Sequence, residues 1–186
     1  EDKEEEEEDT AGGAAAAGGA AKPGGELAKK YGALTLLDNT FAGLHQHGQF
    51  PVDLILHSLT KYAAGHGDVT AGAVMGSQAH LDVIRETAIL LGATLDPHAA
   101  FLIQRGLKTY PLRYSAQCRG ALSVAQFLST HPQVARVFYP GLETDMSHTL
   151  ARTQMKEPGA VLSLELKSMQ AEEFVTRLKL FAFTVS

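Results

Sequence analysis

The sequence holds a single cysteine, Cys118, so no disulfide can close within the chain and no four-cysteine zinc site can be built. No apolar run approaches the roughly 20 residues a membrane-spanning helix needs, and no basic-then-apolar leader opens the chain. Neither a Gly-x-x-x-x-Gly-Lys-Ser/Thr loop nor a Gly-x-Ser-x-Gly elbow is present, which leaves nucleotide hydrolysis and serine-esterase chemistry without support. Positive charge is scarce and scattered. The first ten residues carry eight acids and one lysine, and the remainder carries 13 acids against 15 Lys and Arg. The net charge of −5 is therefore a property of the head, and the nearly neutral body offers no stripe for nucleic acid. These exclusions leave a cytoplasmic protein outside the membrane as the expectation.

What is present divides into three parts. Residues 1–25 are an acidic run followed by an Ala/Gly stretch, with too few large apolar groups to offset ordering entropy, so a disordered head is expected. From residue 26 short β runs alternate with helical ones. A helix is expected to end at Tyr31 with Gly32 as its stop, followed by strands over residues 33–37, 54–57 and 71–76. The first two runs are continuously apolar, as in a sheet covered on both faces. Helices are expected over 78–91, 97–107 and 112–130, the last stopped by His131-Pro132. A strand at 134–139, a helix at 147–155, a strand at 160–166, a helix at 170–180 and a strand at 181–185 complete the chain. The pattern reads as a mainly parallel α/β portion over residues 26–111 and a smaller α+β portion over 112–186.

The chemistry gathers at the ends of two strands. Asp38 follows the apolar run 33–37; His57-Ser58-Leu59-Thr60-Lys61-Tyr62 follows the next. An acid, two hydroxyls and a lysine in those places suit pyridoxal 5'-phosphate. That cofactor needs an amine for its aldehyde, an acid beside its pyridinium nitrogen and donors for its phosphate. Lys61 is expected to hold the aldehyde as a Schiff base and then to act as general base at the substrate α-carbon. An amine is nucleophilic only when deprotonated, and a free lysine has a pKa of about 10.4, so the strand end must desolvate it. Asp38 is expected to keep the ring nitrogen protonated. Ser58 and Thr60, two apart, face one way in extended chain and could donate to one phosphate. Each residue alone has a plainer explanation: an exposed lysine, a turn-forming Asp-Asn, hydroxyls capping a strand end. Together they point to the cofactor.

Asp38-Asn39-Thr40-Phe41, Ser58-Leu59-Thr60-Lys61-Tyr62 and Gly65-His66-Gly67-Asp68-Val69 resemble the core motifs of the Cys/Met-metabolism, or transsulfuration, PLP enzymes. Arg105-Gly106-Leu107-Lys108-Thr109 and Tyr139-Pro140-Gly141-Leu142 are similar to further stretches of that family. The resemblance implies part of a fold-type I large domain, with a mainly parallel sheet and flanking helices, followed by a smaller C-terminal α+β domain. It implies a lyase or transferase acting by β- or γ-elimination or replacement on cystathionine, methionine or O-acylhomoserine-type substrates, in a homo-oligomer (dimer or tetramer). Thr40 is implied to lie against the cofactor ring. The family's ring-stacking tyrosine, its Gly-Met phosphate segment and its carboxylate-binding arginine find no counterpart, so the sequence reads as cut short at both ends. A catalytically inactive homologue that keeps the fold and its oligomerisation surface is the alternative. His45, His47, His57, His66 and Asp68 allow a metal-binding reading, but turn and strand-end roles explain them more simply, and no metal is expected.

Overall fold

A computed structural model describes residues 23–44 and 50–181, in two compact units that divide between Ala33 and Leu34. The expected disorder of the head falls almost wholly on residues outside that description, as does most of the strand expected over 181–185. In the first unit, helix α1 (Pro23–Tyr31) ends as its sequence predicts. Gly32 adopts φ 62°, its N–H donates to the Lys29 carbonyl (3.3 Å), and the Ala33 N–H donates to the Ala28 carbonyl (2.9 Å). This pair of bonds is a Schellman closure, which needs a residue comfortable at positive φ.

The second unit is built on a three-stranded sheet, β1 (Leu36–Asp38), β2 (Leu54–Ser58) and β3 (Gly72–Gly76), in that spatial order. β1 runs parallel to β2, with Asp38 opposite Leu56, whereas β3 runs antiparallel to β2. The described sheet is thus mixed, and the reason is local. Directly after β2 the chain turns back on itself. The N–H groups of Leu59 and Thr60 both donate to the Ala71 carbonyl, and the Ala71 N–H donates to the Thr60 hydroxyl. β1 is shorter than its apolar run suggests and is not covered on both faces, since Leu36 is 55% exposed.

Helices α2 (Gln78–Leu90), α3 (Pro97–Leu107) and α4 (Tyr110–Ser129) follow. Ser77 caps α2 by accepting from the His80 N–H, and Asp96 caps α3 by accepting from His98 and Ala99. β4 (Val134–Phe138) and β5 (Ser163–Leu166) form an antiparallel pair, with α5 (His148–Gln154) between them in sequence and α6 (Ala171–Arg177) after. The core runs along α4. Tyr110, Tyr114 and Cys118 form one buried cluster, and Ala121 and Ala125 form another with Tyr139 and Leu142. Spacings of four and three place all five α4 residues on one helical face.

Candidate active site

Parallel pairing brings the ends of β1 and β2 side by side, the place where open α/β sheets take ligands. Thr40 joins the two ends. Its N–H donates to Asp38 Oδ1 (3.0 Å), and its hydroxyl accepts from the Ser58 N–H (2.8 Å). The Thr40 hydroxyl and N–H, in that order, hold the Asp38 carboxyl below the usual carboxylate range; slight burial opposes them and nearby His57 adds a smaller lowering. Asp38 is exposed and ionised, and Thr40 is buried. Thr40 therefore has a structural task, linking an acid to a strand end, that its sequence position did not suggest.

Ser58 closes β2, and its hydroxyl makes no hydrogen bond among the described residues. Thr60 lies beyond the strand, in the turn. Its hydroxyl accepts from the Ala71 N–H (3.0 Å) and donates to the Ala71 carbonyl (3.4 Å). The alternation that would aim Ser58 and Thr60 the same way requires extended chain, and extended chain stops at Ser58. Lys61 sits in the same turn: its N–H donates to the Ser58 carbonyl and its carbonyl accepts from Gly65. Its amine makes no hydrogen bond or ion pair with any described residue. Lys61 and Thr60 line a cavity of about 710 Å³ together with Phe41, Tyr62, Gln117 and Val161; Asp38 and Ser58 are not in its wall.

Tyr62 carries that turn into the core. Its ring meets Phe41 and Tyr114 edge-on at 6.2 and 5.0 Å, and its hydroxyl accepts from the Ala160 N–H (2.9 Å). From α4, the Tyr110 hydroxyl accepts from Leu44 N–H (2.7 Å) and Tyr114 donates to the Phe41 carbonyl (3.3 Å). Burial pushes the phenols of Tyr114, Tyr110 and Tyr62 upward, so all three stay neutral. These α4 residues were not singled out from the sequence, although the four-residue spacing of Tyr110, Tyr114 and Cys118 marks one helical face. Of the histidines, His57 is buried, His66 Nδ1 lies 2.6 Å from the Ala64 carbonyl, and Asp68 pairs with Arg105 at 3.5 Å. No three metal-ligating groups converge among the described residues; His45 and His47 lie outside them.

The family model described as Cys/Met metabolism PLP-dependent enzyme matches residues 24–186. The chain belongs to that family. It is 43% identical over 167 residues to L-methionine gamma-lyase of Pseudomonas putida, a match covering 87% of this chain and 42% of that protein. Cystathionine beta-lyase of Lactococcus lactis subsp. cremoris is 41% identical over 166 residues, covering 86% of this chain and 43% of the relative. Among solved structures, cystathionine gamma synthase from Xanthomonas oryzae pv. oryzae, in complex with aminoacrylate and cysteine, superposes with a TM-score of 0.79. It has 42% identity and covers 87% of this chain and 43% of that one. An apo methionine gamma lyase from Micromonospora echinospora gives a TM-score of 0.81 at 35% identity. The chain thus spans about two-fifths of the curated Cys/Met-metabolism relatives it matches. Among the described residues no helix is long and apolar enough to cross a membrane.

Proposed function

We propose that this chain supplies the lysine-bearing part of a pyridoxal-phosphate enzyme that breaks or exchanges carbon–sulfur bonds in sulfur amino acids. Substrates of the methionine or cystathionine type are proposed from the relatives' names. The observation that carries the reading is an amine with no partner among the described residues, Lys61, one turn beyond strand ends where Thr40 ties ionised Asp38 to Ser58. By its chemistry the donor set suits the cofactor. Lys61, on the cavity wall with no partner among the described residues, would take its aldehyde. At the strand ends, outside that wall, an ionised Asp38 would meet its ring nitrogen, and a Ser58 hydroxyl without a partner among the described residues its phosphate. When bound there, the cofactor supplies a sink for the electrons left by bond cleavage at the substrate α-carbon.

The chain's own part is proton handling and placement. Lys61 would hold the cofactor by its aldehyde, and the same amine would take a proton at the substrate α-carbon and give one to the departing sulfur or oxygen. Asp38 stays ionised because Thr40 donates to it, and would so favour a protonated ring nitrogen on a cofactor held beside it. Thr60 acts here through Ala71, shaping the loop after Lys61. We place residues 26–111 in the cofactor-binding portion and 112–186 in the C-terminal α+β portion, with the chain working as a homo-oligomer in the cytoplasm. Exposed Leu34, Leu36 and Phe41 near the strand ends support association.

A second reading, a homologue that keeps the fold and an association surface without turnover, is favoured by Thr60, whose hydroxyl is engaged by Ala71 instead of free to donate. One experiment separates them. Protein incubated with pyridoxal phosphate is reduced with borohydride and digested, then assayed in parallel for ammonia and thiol release from methionine and cystathionine. Pyridoxyl on Lys61 with release supports the enzyme. Pyridoxyl without release supports the inactive homologue, and label on other lysines alone rejects both.

A further inference from the structure

The turn that carries Lys61 ends on two carbonyls that its own backbone leaves unbonded, and one side chain of another helix takes both. Arg113, in the first turn of α4, donates through Nη1 to the Tyr62 carbonyl (3.0 Å) and through Nη2 to the Ala63 carbonyl (3.1 Å). Nη2 also donates to the Gly106 carbonyl at the end of α3 (2.9 Å), and Nε donates to the Thr109 hydroxyl (3.1 Å). We propose that Arg113 is the positioning residue for Lys61, fixing the backbone one and two residues beyond the amine so that the amine faces the cavity in one orientation. This rests on the reading of Lys61 as the cofactor-holding residue.

Three observations support it. First, Ala63 is buried, so without Arg113 its carbonyl would be left unsatisfied, and the half-buried Tyr62 carbonyl beside it would lose its donor as well. Second, the glycines around the clamp leave it room. Gly65 takes φ 73°, and a Cβ there would strike the Arg113 guanidinium; a Cβ on Gly106 would come within 2.9 Å of the Ala63 carbonyl oxygen. Third, the acceptors demand a planar fork. Two turn carbonyls, a helix-end carbonyl and a hydroxyl are reached from three nitrogens of one guanidinium, a geometry that an ammonium cannot reproduce. The residue between clamp and amine, Tyr62, is held again through its hydroxyl and ring.

The test compares wild type with Arg113→Lys and Arg113→Ala at a temperature where far-UV circular dichroism shows each variant folded. Three quantities are read: the affinity for added pyridoxal phosphate from borohydride trapping at Lys61, the visible circular dichroism of the captured cofactor, and the rate of reductive methylation of Lys61 by formaldehyde, resolved by peptide mass spectrometry. Arg113→Lys is expected to weaken capture by roughly tenfold, as the loss of charge-assisted bonds implies. It should also change the visible dichroism and speed methylation of Lys61, because a loosened turn exposes the amine. A merely structural role would lower the melting temperature and leave all three unchanged below it, which would overturn the proposal. If Arg113→Ala does not fold, Arg113→Lys alone decides. Should wild type itself capture no cofactor at Lys61, the proposed function falls, and an unchanged methylation rate in Arg113→Lys separately disposes of the clamp.

Discussion

Helices α4 and α2 are both rich in large apolar side chains, yet they meet opposite fates. Tyr110, Tyr114, Cys118, Ala121 and Ala125 of α4 are buried, while α2 has no buried residue and Leu90 is 86% exposed. The difference lies in what each face must hold. The α4 tyrosines and Arg113 reach carbonyls and N–H groups of residues 41–44 and 62–63, groups that neither strand nor helix satisfies. The apolar groups of α2 carry no such task within the described residues, and its stripe of Leu81, Ile84 and Ala88 is only half-covered. Apolar spacing shows that a face exists; hydrogen-bonding need shows what it serves.

Substitutions should separate the two helices sharply. Tyr114 is 1% exposed, stacks on Tyr110 at 5.4 Å and donates to the Phe41 carbonyl, so Tyr114→Ala removes a full aromatic volume and one buried bond together. Its expected cost is about 3–5 kcal/mol in urea unfolding, in the range of large-to-small aromatic truncations. Leu90→Ala on α2 should stay within about 0.5 kcal/mol, as for exposed positions. If Leu90→Ala costs as much as Tyr114→Ala, the α2 face is covered in solution and the contrast fails. Gly106→Ala should fall between them, at about 1–3 kcal/mol, because its Cβ meets backbone oxygens of the Lys61 turn and not a yielding side chain. Its pyridoxal-phosphate affinity should fall as well, which Leu90→Ala should not cause.

Raising the pH tests the α4 cluster as a whole. Burial lifts the Cys118 thiol from its ordinary 9.0 to about 11 and the Tyr139 phenol to about 12. The unfolded chain then releases these protons before the folded chain does. Stability is therefore fully present below about pH 9 and falls as pH climbs through the raised folded values. Alkaline unfolding should be blunted in Cys118→Ala, and native Cys118 should react with iodoacetamide far more slowly than after unfolding. Equal reaction rates before and after unfolding would place that thiol outside the core.

Much of this was legible beforehand because it is local. Asp38, Ser58 and Lys61 stand within a few residues of apolar runs that end in strands, and Gly32 and Pro97 punctuate helices where they should. What escaped the sequence acts across distance. Arg113 reaches Tyr62 and Ala63 over 51 and 50 residues, and Thr40 reaches Ser58 over 18. No periodicity encodes such partners, because a side chain that bonds to backbone leaves no mark on the residue it bonds. Thr60 differs for another reason: strand alternation ends at Ser58, where the chain begins to turn, so its hydroxyl is not related to that of Ser58 by extended geometry.

The smallest effect is the most local. Thr40 donates to Asp38 and holds its carboxyl below the ordinary 3.8. A lowered folded value adds stability that is present above the unfolded carboxylate range and is lost as pH falls through the folded value. Because Asp38 is exposed, solvent screens the contribution, and acid unfolding should shift little in Thr40→Val. The titration itself is the sensitive reading. By carboxyl NMR, Asp38 should move back up toward 3.8 in Thr40→Val, because the hydroxyl, its largest source of lowering, is gone. The same variant strips the Ser58 N–H of its acceptor, so it should loosen the join between the two strand ends and weaken cofactor capture without touching α4. An Asp38 titration identical in wild type and Thr40→Val would mean that the acid is set by other neighbours, and that the strand ends are not coupled through Thr40.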